Sequence, residues 1–143
     1  MFGLFLSKNQ KRVKKWQKEH RHILDLVHEV NSAYLDADTV KLKKALSRLE
    51  RVTVAHLMDE DVALYHLMKD EKRIDKETEA MVVEFIQSFK KTKQGLIAFL
   101  DHAVKGKLPL DDHFFATFKE TMRVVLKRID FEEKNLYEKL KRS

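Results

Sequence analysis

The chain of 143 residues has no cysteine, one proline and three glycines. The missing cysteine excludes disulfide bonds, thiolate metal ligands and cysteine nucleophiles, and a chain without disulfides is typical of the cytoplasm. An all-β fold needs many Gly- and Pro-containing turns, so their scarcity excludes that class. With 43% hydrophobic and 36% charged residues, the composition predicts one soluble, all-α domain.

No apolar run approaches the roughly 20 residues that a membrane-spanning helix needs. A shorter apolar stretch, residues 1–6, is followed by six basic residues and no acidic one up to residue 18. These six account for the whole net charge of +6, so we expect no nucleic-acid-binding surface on the rest of the chain. We predict that residues 1–7 form an apolar arm. Residues 1–18 either contact an anionic membrane or an acidic partner, or are a frayed end that leads into a solvated basic helix.

Apolar residues recur at intervals of three and four through four long segments, which predicts four amphipathic helices. Ser7 and Gln10 have the spacing of a capping box, so the first helix should begin near Lys8. Gly95 lies inside the third segment, where glycine costs about 1 kcal/mol relative to alanine, and it suggests a close contact between helices. Short connections force neighbouring helices to be antiparallel, so residues 8–143 should form an up-down-up-down antiparallel four-helix bundle.

Three of the four apolar stripes contain polar residues that can bind a metal. They are His20 in the first helix, His56 and Glu60 in the second and Glu132 in the fourth. Counted from the helix ends at a rise of about 1.5 Å per residue, all four fall at one level of the bundle. Burial of unpaired charges costs several kcal/mol, so these groups need compensation by one another, by an arginine or by a cation. An imidazole and carboxylate set suits Fe, Mn or Zn.

Two segments of the sequence, 56–65 and 128–137, match each other in pattern. Each has His or Arg, three residues, Glu, an acidic residue, two further residues and Leu-Tyr. With Glu19-His20-Arg21 in the first helix, the chain resembles the hemerythrin-like, or HHE cation-binding, domain family over nearly its whole length. The resemblance implies a non-haem di-iron centre that binds or senses dioxygen, with carboxylates of helices two and four as bridges and histidines from all four helices. The positions that match this ligand set are His20, His56, Glu60 and Glu132.

The sequence departs from the family pattern in helices three and four. Arg128 stands where helix four would supply a histidine, and Phe85 and Phe89 stand where helix three would supply one or two. Three alternatives follow. The four matching residues hold one metal ion, with a position open for water or dioxygen. Alternatively, Arg128 replaces the cation and pairs with Glu132 or Glu60. In the third, Arg128 and Glu132 turn to solvent and leave a pair of core histidines.

The leading interpretation is a metal-binding protein, not an enzyme, that binds or senses dioxygen or metal with a reduced site. Its expected ligands are dioxygen and non-haem iron, as one ion rather than two. The alternative is a metal-free regulatory or scaffold bundle that acts through protein partners. For either interpretation, we expect a cytoplasmic protein.

Overall fold

A computed structural model describes residues 7–69 and 75–142, and within these ranges the chain is helical with no strand. The elements are α1 (Lys8–Leu35), α2 (Thr39–Lys69), α3 (Lys76–Val104), α4 (Asp112–Phe131), a π-helical turn (Glu132–Leu136) and α5 (Tyr137–Lys141). The contacts of α1 with α2 and α5, of α2 with α3, and of α3 with α4 confirm the predicted four-helix bundle. None of the helices in these ranges is long and apolar enough to cross a membrane. The predicted arm lies outside the described residues except for Ser7.

Side-chain caps fix where the helices begin. Ser7 and Gln10 form the predicted capping box, in which the backbone N–H of each donates to the side chain of the other. Asp75 accepts from the backbone N–H of Thr78 at the start of α3, and Asp111 accepts at the start of α4. Each cap satisfies an N–H that has no partner within its own helix.

The apolar core is divided into two clusters by one polar level. Along α1, Val13 and Trp16 belong to the smaller cluster and the residues from Ile23 onward to the larger one, with His20 between them. The same division occurs along α2 and at the end of α4, where Glu60 and Glu132 lie between the two clusters. The bundle therefore surrounds its buried polar groups with apolar packing above and below.

The fourth helix is not continuous, in contrast to the single helix that its periodicity predicts. In the π-helical turn, the backbone N–H of Tyr137 donates to the carbonyl of Glu132, five residues earlier. The turn holds one more residue than an α-helical turn, so it rotates the following residues by about 100°. As a result Glu132, Leu136 and Tyr137 are all buried.

The expected close helix contact at Gly95 is wrong. A Cβ atom built on this residue meets nothing within 4 Å. Gly95 is exposed on α3, so it lowers helix stability without a packing benefit.

We therefore expect Gly95→Ala to raise the free energy of unfolding by about 1 kcal/mol, because alanine loses less backbone entropy on folding. Urea denaturation followed by circular dichroism measures this change. Gly106→Ala is the control and should be destabilising, because Gly106 has a φ of 73° that a Cβ disfavours. A loss of stability in Gly95→Ala would show that this glycine is needed for packing.

Candidate metal centre

The structure brings the four predicted ligand residues together between the two apolar clusters. They are His20 on α1, His56 and Glu60 on α2, and Glu132 in the π-helical turn, and each is at most 3% exposed. One ligand atom from each lies within 4.8 Å of those of the other three. The alternative in which Glu132 and Arg128 turn to solvent is wrong, because both side chains are buried.

The distances between these ligand atoms fit one small metal ion. His20 Nε2 lies 3.0 Å from His56 Nε2 and 3.3 Å from Glu132 Oε1, and His56 Nε2 lies 3.5 Å from Glu60 Oε2. A tetrahedral ion with bonds of about 2.0–2.1 Å requires ligand atoms about 3.3–3.4 Å apart. The donor set suits a four-ligand site, and three of its distances lie close to the required ones while all of them are within 4.8 Å.

Both imidazole rings are oriented by carboxylates on their outer side. His56 Nδ1 lies 2.7 Å from Glu19 Oε1, and His20 Nδ1 lies 3.3 Å from Glu133 Oε1. A ring that donates its Nδ1–H to the carboxylate beside it keeps an Nε2 lone pair for the interior. The two Nε2 atoms face each other across 3.0 Å, a separation that a proton or a cation between them would stabilise. Carboxylates that back histidine ligands in this way are typical of metal sites.

Tyr137 adds a hydroxyl group to the centre. Its O–H donates to Glu60 Oε2 at 2.8 Å, and its oxygen lies 3.1 Å from His20 Nε2. The ring is fully buried and lies parallel to the imidazole of His20, with 5.6 Å between the centroids. Burial and the neighbouring carboxylates raise the pKa of Tyr137 far above its ordinary value, so the hydroxyl keeps its proton as a hydrogen-bond donor.

Arg128 lies on one side of the centre, between the two carboxylates and two phenylalanine rings. Its Nη2 donates to Glu60 Oε1 at 3.1 Å, and its Nε lies 3.9 Å from Glu132 Oε1. The guanidinium carbon is 4.8 Å from the ring centroid of Phe85 and 5.4 Å from that of Phe89. The phenylalanines offer no ligand atom, and the guanidinium takes the place of a cation between them and the carboxylates. The residues therefore fit one metal ion and not two.

Burial makes the charged forms of these groups unfavourable when no cation is present. It raises the pKa of Glu60 to about 8, and the charge of Glu132 contributes in the same direction. Burial also raises the pKa of Glu132 and lowers those of His20 and His56. A divalent ion would favour the ionised carboxylates and the unprotonated imidazole nitrogens, which are the forms that bind metals.

A small, partly open cavity adjoins the centre. It has a volume of about 20 Å³, enough for one water-sized ligand. Thr53, Arg128 and Glu132 are among its lining residues. Each has a buried polar atom without a hydrogen-bond partner in the described ranges, namely Thr53 Oγ1, Arg128 Nε and Glu132 Oε2. The cavity thus combines space for a small ligand with groups that can bond to it.

Three residues of the centre were not identified from the sequence as site residues. Glu19 directly precedes His20 in the chain, and Glu133 directly follows Glu132. Both glutamates therefore lie at the edge of a buried stripe. This adjacency to a candidate ligand is the sequence signal that would have identified them. Tyr137 carried no such signal, because its inward orientation depends on the π-helical turn.

The comparisons with known proteins gave one match. The family model described as the hemerythrin HHE cation-binding domain matches residues 12–140 of the chain. This range includes the four candidate ligands and Arg128. No curated protein and no solved structure matches the chain.

We expect Arg128→Met to lower the free energy of unfolding of the chelator-treated protein by about 3–5 kcal/mol, because it leaves buried carboxylates without their cation. Thermal or urea unfolding at neutral pH measures the loss. Arg123→Met is the control, since Arg123 pairs with Glu120 on the surface and its removal should change stability by no more than about 0.5 kcal/mol. Equal stability of the two variants would mean that Arg128 does not neutralise the centre.

Proposed function

The chain belongs to the hemerythrin HHE cation-binding domain family, and we propose that it binds one non-haem iron ion through His20, His56, Glu60 and Glu132. The family supports a cation-binding role for the whole chain. The four buried side chains supply two imidazole nitrogens and two carboxylate oxygens, a set that suits iron and also manganese or zinc.

The observation that carries this proposal is the pair of imidazoles. Their Nε2 atoms lie 3.0 Å apart, while the Nδ1 atoms bond to carboxylates on the outside. A buried pair of core histidines with no ligand role would be expected to direct at least one N–H toward the other ring. Here both Nδ1 atoms face carboxylates that can accept their N–H groups, so a cation shared by the two Nε2 atoms accounts for the arrangement best.

We further propose that the protein binds or senses dioxygen or the metal itself and is not an enzyme. An iron ion in this position supplies the affinity for dioxygen. The protein's own residues control which molecules reach the ion. Arg128 and Thr53 line the cavity that a small ligand would enter. The apolar clusters on both sides of the centre exclude bulk water. The cytoplasmic location stays a prediction from the sequence.

A metal-free bundle that acts through protein partners is the second candidate function. The observation that favours it is the buried pair between Arg128 Nη2 and Glu60 Oε1, at 3.1 Å. This pair already supplies one positive charge to the two carboxylates. Under this alternative, a proton shared within the cluster neutralises the remaining negative charge of the two carboxylates.

We expect the iron-loaded protein to contain about one iron per chain, and His56→Ala to contain none, because it removes a ligand from a four-ligand site. Elemental analysis after anaerobic loading with Fe(II) measures the content. Metal should also stabilise the unmodified protein, by about 2.7 kcal/mol when the free metal is at 100 times its dissociation constant, and should not stabilise the variant.

His66→Ala is the matched control for this experiment, since His66 is an exposed histidine on the same helix. It should keep both the iron and the stabilisation. Unchanged metal content in His56→Ala would reject the site. Absence of metal from both the unmodified protein and the control would favour the metal-free bundle.

We also expect the anaerobic Fe(II)-loaded protein to change its ultraviolet-visible spectrum when dioxygen is admitted. The expected cause is entry of dioxygen into the cavity that Arg128 and Thr53 line beside the residues that would hold the ion. Thr53→Val should weaken this response while iron content stays the same, because it removes a hydroxyl group that lines the cavity. A spectrum that does not respond to dioxygen would restrict the function to metal binding.

A further inference from the structure

The hydroxyl oxygen of Tyr137 contacts two of the four candidate metal ligands. Tyr137 Oη lies 2.8 Å from Glu60 Oε2 and 3.1 Å from His20 Nε2. These two atoms also lie within 3.5 Å of the ligand atoms of His56 or Glu132. The side chain of Tyr137 is fully buried. Its oxygen is therefore a fifth donor atom in contact with the centre.

The two distances from Tyr137 Oη are those expected of a further ligand on the same ion. Ligand atoms that lie about 2.0–2.1 Å from an ion are about 2.8–3.0 Å apart when their bonds to it form a right angle. The measured 2.8 and 3.1 Å are close to this range. Right angles between neighbouring ligands are typical of octahedral ions. The oxygen thus lies at the spacing of a ligand next to both Glu60 and His20.

Hydrogen bonds alone do not satisfy the imidazole that Tyr137 contacts. His20 Nε2 has three close neighbours, which are His56 Nε2 at 3.0 Å, Tyr137 Oη at 3.1 Å and Glu132 Oε1 at 3.3 Å. A single Nε2–H bonds well to one of these neighbours and not to the other two. An ion bound to His20 Nε2 and to its neighbours would satisfy all of these atoms together.

The π-helical turn directs Tyr137 into the centre. Tyr65 holds the equivalent position in the matching segment on α2, where the helix is regular, and it is 51% exposed. The extra residue in the turn rotates Tyr137 by about 100° relative to a regular helix. Turns of this kind inside α-helices are frequent at functional sites. The departure from α-helical geometry adds a hydroxyl group to the cluster of ligands.

We propose that Tyr137 binds the ion as a fifth protein ligand, through its phenolate oxygen. The inference rests on the iron site proposed above and adds one ligand to its four. Coordination replaces the bond between oxygen and proton by a bond between oxygen and metal, and the proton leaves to solvent. An anionic oxygen ligand stabilises Fe(III) more than Fe(II). An octahedral ion with five protein ligands keeps one position open for a small molecule.

The visible spectrum of the full chain, loaded with iron and oxidised to Fe(III) with ferricyanide, tests this proposal. Charge transfer from a phenolate to Fe(III) gives a strong visible band, whereas imidazole and carboxylate ligands of a single Fe(III) ion absorb mainly in the ultraviolet. We expect the unmodified protein to show this band and Tyr137→Phe to lose it. Resonance Raman spectra excited in the band should contain the ring vibrations of a tyrosinate. Removal of the anionic ligand should also raise the reduction potential of the ion.

The other two tyrosines of the chain, Tyr34 and Tyr65, provide the controls. Tyr65→Phe is the matched single variant and should keep the band. The double variant Tyr34→Phe, Tyr65→Phe leaves Tyr137 as the only tyrosine and should keep the band as well. This double variant assigns the band even if Tyr137→Phe does not fold. Loss of the band in the double variant, or a normal band in folded Tyr137→Phe, would overturn the proposal.

Iron content, measured in the same samples by elemental analysis, separates this proposal from the proposed function. Tyr137→Phe should still contain about one iron per chain, because the other four ligands remain. One Fe(III) per chain without the visible band in the unmodified protein would overturn the role of Tyr137 and leave the iron site in place. Absence of iron from the unmodified protein would reject both.

Discussion

Two carboxylates buried in the middle of an apolar bundle are the constraint on which the rest of this structure depends. Glu60 and Glu132 are at most 1% exposed, and neither can remain ionised there without positive charge close by. Arg128 supplies one fixed charge, and the imidazoles of His20 and His56 complete the set. The division of the core into two apolar clusters follows from this requirement, because the polar groups need a level of their own.

The centre has an inner and an outer layer with different tasks. The inner atoms converge on one point, and the outer carboxylates of Glu19 and Glu133 hold the imidazole rings in orientation. These two carboxylates are partly exposed, while the imidazoles that they contact are buried. The bundle thereby keeps the outer carboxylates in contact with water and leaves the Nε2 atoms of the two rings for the interior.

Much of this fold was readable from the sequence, because amphipathic helices leave a strong periodic signal. The recurrence of apolar residues every three or four positions located the four helices. The polar residues that interrupt these apolar stripes identified the candidate ligands His20, His56, Glu60 and Glu132. The periodicity of a sequence cannot predict where the helix itself changes from an α-helical to a π-helical turn. Tyr65 and Tyr137 occupy equivalent places in the two matching segments, yet Tyr65 is 51% exposed and Tyr137 is fully buried. The π-helical turn before Tyr137 causes this difference, and its formation depends on tertiary packing that a single sequence does not display.

The guanidinium of Arg128 affects the redox chemistry that this centre could support. A centre with two exchangeable metal ions can pass two electrons to or from one small molecule within a single chain. Here the guanidinium stands beside the two carboxylates in place of one cation, is covalently part of the protein and has no accessible redox state. Redox chemistry at this centre would therefore depend on a single ion held by His20, His56, Glu60 and Glu132, and the guanidinium would contribute charge but no electron.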